Sequence, residues 1–275
     1  MEKILLAIDA AEIDKKSLDF ACYLARLTKS KITGVFLDNL VAGEIPFKLT
    51  QTVMAQAYDE IDAYSKARKL IEQNIEWFRQ GCINREVTYT VHRDHGVPAD
   101  EMIIESRFAD VLVTDAETSF RKRFEGPPSA FVQDILKKAE CPVIIAPASF
   151  EPVEEIIFAY NGTASAMFAI KQFTYLFPQL STKKVSVIQV NETGKWEDTQ
   201  KHKFIEWLKG HYSAIHFEAL RGDSDNALFD YLFKRKNMFL VMGAYGRTSL
   251  SQFFKRSAAD LLLKTITQPI FIAHH

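Results

Sequence analysis

The run NMFLVMGAYG, residues 237–246, decides how the rest of the chain is read. Its unbroken apolar core predicts a strand buried on both faces. Gly243 and Gly246 then flank a two-residue turn, and the helix-like run RSAADLLLK follows at 256–264. Glycine permits positive φ and lets backbone N–H groups close on an anion with no Cβ in the way. A strand, a glycine turn and a helix start, in that order, therefore suggest a phosphate site. Ser257, at the helix start, would add a hydroxyl and an N-terminal amide where the dipole favours negative charge. A tight turn followed by an ordinary N-cap serine accounts for the same residues equally well.

The stretch has a counterpart in the first half. ADVLVTDAETS (109–119) resembles it, and PSAFVQDIL (128–136) matches RSAADLLLK at the same offset, setting Asp115 opposite Gly243 and Ser129 opposite Ser257. CPVIIAP (141–147) matches QPIFIAH (268–274), and KILLAIDA (3–10) matches EIIFAYNG (155–162), which sets Asp9 opposite Asn161. Self-similarity on this scale means two copies of one unit. The larger offset at the starts gives the first copy an insertion, placed within 47–80.

Each copy alternates strands with helices. In the first, a strand over 4–8 precedes a helix with Phe20, Leu24 and Leu27 on one face. A second strand, KITGVFLD, leads to a long helix patterned by Val53, Ala57, Ile61, Tyr64, Ile71, Ile75 and Phe78, which Gly81 should stop. The second copy repeats the order through KVSVIQVN, HKFIEWLK, AIHFEAL and NALFDYLFK. Such alternation with apolar strands predicts α/β architecture: two doubly wound parallel five-stranded sheets, one over 1–147 and one over 154–275. Ligands of such sheets sit at the carboxyl ends of strands. That makes Asp9, Asp115, Asn161 and Gly243 the positions to watch.

The totals bound the function. A chain of 275 residues suits two domains, and 47% hydrophobic with 25% charged residues is ordinary for a soluble protein. A net charge of −1 gives no basic surplus for nucleic acid. The basic clusters RKR (121–123) and KRK (234–236) read as solvated helix ends. Three cysteines, Cys22, Cys82 and Cys141, are too few and too irregular for a disulfide framework or zinc site, and fit a reducing cytosol. The first residues read as a strand rather than a signal peptide, and no apolar run approaches the ~20 residues of a membrane helix, so a cytoplasmic location is expected. GxxxxGK[ST], GxGxxG and GxSxG are absent. No group stands out as a catalytic nucleophile or base, so no enzyme is expected. The HxxH of His92 and His95 is weak evidence for a metal, and none is assigned.

With the repeat, the element order and the glycine motif in view, the chain resembles a tandem universal stress protein over essentially its full length. The resemblance implies a Rossmann-like fold of the adenine nucleotide alpha hydrolase-like type. Nucleotide-binding relatives carry Gly, two residues, Gly, nine residues, Gly, then Ser or Thr. Gly243, Gly246 and Ser257 match, while Arg256 replaces the third glycine. If that glycine sits at positive φ, arginine there costs roughly 1–2 kcal/mol, yet it offers a fork suited to phosphate. Arg247 is a second cation beside the motif. Asn161 stands where the family has an Asp near the adenosine, and backbone groups of Gln189 and Val190 would contact the adenine. The implied ligand is ATP or another adenine nucleotide, with or without magnesium, bound in the C-terminal domain as a stress sensor or switch.

The first copy departs further from the motif. Asp9 and Ser129 remain, but Asp115, Thr118 and Pro128 take the glycine places. A carboxylate opposes polyphosphate and proline lacks an N–H, so this site reads as degenerate. The alternative is a scaffold or interaction module with both sites degenerate. The resemblance also implies that the last strands, around 143–146 and 270–273, pair within the chain as an internal pseudo-dimer. A homodimer remains compatible with this, and no nucleic-acid or membrane partner is expected.

Overall fold

The computed structural model describes residues 1–38, 51–121, 125–147, 149, 151–196, 198–222, 224–243 and 268–273. Gly246, Arg247, Arg256 and Ser257, four of the motif residues, lie outside the described residues. The first half contains β1 (Lys3–Asp9), α1 (Lys15–Thr28), β2 (Lys31–Asp38), α2 (Gln51–Ile83), β3 (Tyr89–His95), α3 (Pro98–Ser106), β4 (Val111–Thr114), α4 (Ala130–Lys138) and β5 (Val143–Ile145). The second contains β6 (Glu155–Ala159), α5 (Ala164–Leu176), β7 (Lys184–Asn191), α6 (Asp198–Lys209), β8 (Ile215–Arg221), α7 (Ser224–Phe233), β9 (Met238–Gly243) and β10 (Ile270–Ala273). A short 3-10 turn, Pro178–Leu180, follows α5.

Within each half the neighbouring strands run parallel, in the order β3-β2-β1-β4-β5 and β10-β9-β6-β7-β8. The two halves are the same doubly wound sheet. They meet where β5 pairs antiparallel with β10, Ile145 opposite Ile270 and Val143 opposite Ile272. The described strands thus form one ten-stranded sheet. Strand alternation splits its core into two layers. Ile4, Leu6, Phe36, Ile144, Phe158, Val187, Phe239 and Phe271 lie under α1, α2, α5 and α6. Leu5, Val35, Leu112, Val143, Ile188 and Leu240 face α3, α4 and α7.

The ends of the helices follow from local chemistry. Asp14 N-caps α1 by accepting from the N–H groups of Lys16 and Ser17, and Lys29 closes the helix in the left-handed region. The expectation that Gly81 stops α2 is corrected: the helix continues to Ile83. A Cβ at Gly81 would lie 2.7 Å from Leu18 Cδ2, so this glycine lets α1 and α2 approach closely. The insertion of the first half is α2 itself, 33 residues against 12 for α6. Among the described residues no helix is long and apolar enough to cross a membrane.

Candidate functional site

The carboxyl ends of β6, β7 and β9 are neighbours in the sheet, and they bring Asn161, Gln189, Val190 and Gly243 to one edge. Gly243 is the last residue of β9 and is buried. The expected positive φ is not the reason for glycine here; it is not among the positive-φ residues of the chain. A Cβ would instead fall 2.6 Å from the backbone of Ser165 and Ala166, in the first turn of α5. Glycine at 243 therefore lets the end of β9 lie directly against a helix start.

That helix start is capped by its own chain. Asn161 Oδ1 accepts from the Thr163 N–H at 3.2 Å and hydroxyl at 2.8 Å, and Thr163 in turn accepts from the Ala166 N–H at 3.2 Å. Gly162 between them sits at φ +82°. Asn161 Oδ1 thus directs two accepted hydrogen bonds to its own turn. On β7, Gln189 pairs with Ala219 and Val190 with Leu220 of β8. Among the described residues Gln189 Oε1 is buried with no hydrogen-bond partner, as is Trp196 Nε1. Tyr160 stacks on Trp196 with ring centroids 5.8 Å apart and planes at 7°, and Trp196 meets Phe217 edge-on at 5.2 Å. Since Tyr160 continues β6 and Phe217 lies on β8, the indole spans the intervening β7 on the face that carries position 189. Sequence reading missed Tyr160, Trp196 and Thr163. The NGT turn at 161–163 was the available sign of the cap; the stack joins residues 36 positions apart and left no local pattern.

The same edge in the first half is arranged differently. Asp9 Oδ1 accepts from the Ala11 N–H at 2.9 Å, closing a turn toward α1. Asp115 follows β4 and accepts from the Glu117 N–H at 2.6 Å. Burial holds its carboxyl above the ordinary carboxylate range against that hydrogen bond, and Asp14 and Glu117 push the same way. Ser129 N-caps α4, accepting from the Val132 N–H at 3.1 Å and donating to the Thr118 carbonyl. Pro128 offers only its carbonyl, which accepts from the Gln133 side chain at 3.0 Å.

Most informative is Glu125, which sequence reading passed over. Its Oε2 accepts from the Ala130 N–H at 3.1 Å and from the Ser119 hydroxyl at 3.0 Å, and its Oε1 pairs with Arg121 at 2.9 Å. The chain's own carboxylate therefore occupies the N-terminus of α4, the place where an anion would be held. Arg121, the described member of the RKR cluster, is engaged with Glu125 rather than held for a ligand.

Among the described residues no group of three or more His, Cys, Asp or Glu side chains could hold a metal. His92 Nδ1 lies 2.9 Å from Glu105 Oε1, and Lys3 approaches the other carboxylate oxygen at 3.4 Å. The side chain of His95 lies outside the described residues.

Two copies of a 3-2-1-4-5 parallel sheet, joined through their last strands and open at their carboxyl edges, define a tandem doubly wound α/β protein. No family model matches the chain. In sequence it is similar to the universal stress protein Slr1230 of Synechocystis sp., at 21% identity over 98% of this chain and 99% of that one. In structure it is similar to a universal stress protein from Archaeoglobus fulgidus, with a TM-score of 0.70 at 18% identity, covering 99% of this chain and 98% of the other. A functionally unknown protein from Pseudomonas aeruginosa has a TM-score of 0.58 at 12% identity, covering 100% and 92%. The universal stress protein fold thus extends over the whole chain, in agreement with the resemblance read from the sequence.

Proposed function

We propose that the chain binds ATP or a related adenine nucleotide in its second half, and that binding itself, as a sensor or switch, is its output. The observation that carries this reading is the asymmetry of the two strand edges. The first half places a carboxylate, Asp115, at the end of β4 and a second, Glu125, on the α4 amide. Two negative groups oppose a polyphosphate at both places where it would rest. The second half ends β9 on Gly243, with no side chain, against the first turn of α5. Gln189 Oε1, buried two strands away and without a hydrogen-bond partner among the described residues, is an acceptor that a base with an amino group would satisfy. The sequence motif of Gly246, Arg247, Arg256 and Ser257 supplies the phosphate end of the reading. No catalytic group enters it, and a cytoplasmic location and an optional magnesium counterion go with it.

Calorimetric titration of the full chain with ATP tests the proposal. About one nucleotide bound per chain is expected, and Gly246→Asp should abolish it; absence of binding at millimolar ATP contradicts it. A second reading is favoured by the Tyr160–Trp196 stack, which fills part of the edge with side chains. On that reading the protein is an interaction module with both sites closed, and freshly purified protein carries no nucleotide.

A further inference from the structure

We propose that Asn161 is a site of intrinsic deamidation, which turns its amide into a carboxylate with water as the only co-reactant. Asn161–Gly162 is the one Asn–Gly pair of the chain. Covalent connectivity alone puts the Gly162 nitrogen within five-membered-ring reach of Asn161 Cγ, and glycine sets no Cβ beside it. The turn is open to water, with Gly162 and Thr163 exposed. Gly162 sits at φ +82°, and among the described residues its N–H and Asn161 Nδ2 have no hydrogen-bond partner.

Two donors already meet the oxygen on which charge develops. Asn161 Oδ1 accepts from the Thr163 N–H at 3.2 Å and from its hydroxyl at 2.8 Å. When a nitrogen adds to Cγ that oxygen becomes an oxyanion, and donors bound to it are stronger there than on the neutral amide. Asn191 provides the contrast within the same chain. Its Oδ1 also accepts two bonds, from the Thr193 hydroxyl at 2.9 Å and the Gly194 N–H at 2.7 Å. Its Nδ2, however, is held by the Lys195 carbonyl at 2.9 Å, and Glu192 follows it, with a side chain beside the nitrogen that would attack.

In the first step the Gly162 N–H gives its proton to hydroxide, and the nitrogen attacks Asn161 Cγ. The tetrahedral centre collapses, Nδ2 takes a proton from water and leaves as ammonia, and a succinimide ring closes. In the second step water adds to one of the two ring carbonyls. Opening at Cγ gives an aspartyl residue, and opening at the main-chain carbonyl gives an isoaspartyl residue. One amide and one water give one carboxyl and one ammonia. Asp9, at the matching edge of the first half, shows that a carboxylate keeps such a turn, accepting from the Ala11 N–H two residues on at 2.9 Å. The isoaspartyl form adds a methylene to the main chain and so draws Thr163 off the Ala166 N–H that it caps.

The test holds the folded full chain in mildly alkaline water labelled with heavy oxygen, then digests it and maps the peptides by mass. The expected result is label in the Asn161 peptide, which resolves into aspartyl and isoaspartyl forms, while the Asn191 peptide keeps its amide. An isoaspartate methyltransferase should methylate the Asn161 peptide. Thr163→Val removes one of the two donors. It should slow the conversion about threefold to tenfold in the folded chain and leave the rate in urea unchanged. Should that variant not fold, the wild-type map against Asn191 decides by itself. Retention of the Asn161 amide, conversion of Asn191 at an equal rate, or a folded Thr163→Val chain that converts as fast as wild type would each overturn the proposal.

Discussion

Gly243 shows how a residue can be legible in sequence for the wrong reason. Glycine after a buried strand invites a turn at positive φ, yet the constraint comes from Ser165 and Ala166, far away in the chain. No local pattern carries that information. Gly243→Ala should therefore destabilise the protein by about 1–3 kcal/mol through overpacking, read as a lower denaturant midpoint with an unchanged slope. Asp115 gives a prediction of opposite sign. Its folded carboxyl is raised above its unfolded value by burial. The native state thus holds the proton more tightly, and stability is lost as pH rises through the folded value. Asp115→Asn keeps the acceptor for Glu117 and removes the charge. It should melt above wild type at pH 7, and the difference should close as the pH falls below the elevated carboxyl range; a gap that persists in acid contradicts the assignment.

At the scale of elements, the strands were the most legible part, because runs such as VLV at 111–113 and MFLV at 238–241 have no polar residue to mislead the period. Helix ends were less so. Gly81 looked like a stop because glycine weakens helices, but tertiary contact with Leu18 outweighs that cost and α2 runs on. The departures of Asp115 and Pro128 from the motif were visible in the sequence; the carboxylate on the α4 amide was not, since Glu125 reads as an ordinary loop charge. The carboxylate of Glu125 serves α4 as Ser129 does, each taking one amide of the first turn. Glu125→Ala should cost about 1 kcal/mol, the value of one lost cap, in equilibrium unfolding. It should leave nucleotide binding by the second half unchanged. A loss of binding in that variant would place the ligand in the wrong half.

For the whole molecule, the pairing of β5 with β10 makes two repeats into one sheet, with a core layer on each face that both halves share. Phe271 on β10 meets Phe173 and Phe177 at 5.3 and 6.2 Å, and Phe20 of α1 meets Phe239 of β9 at 6.2 Å. The two halves should therefore unfold together, in a single calorimetric transition. Phe271→Ala should cost about 3–5 kcal/mol and lower that one transition rather than split it. The repeat announced the two halves in the sequence, and the family resemblance implied the pairing of their last strands. The side chains on the second edge, Tyr160 and Trp196, were not announced. They also make the central claim measurable, because a nucleotide arriving at β7 changes the surroundings of a stacked indole. The direct measurement is an ATP titration of the full chain followed by calorimetry and by tryptophan emission, with Trp196→Phe as the reference. The account predicts saturable binding of one adenine nucleotide per chain, with an emission change that Trp196→Phe removes. Absence of binding at millimolar ATP, or binding that Gly246→Asp leaves intact, would contradict it.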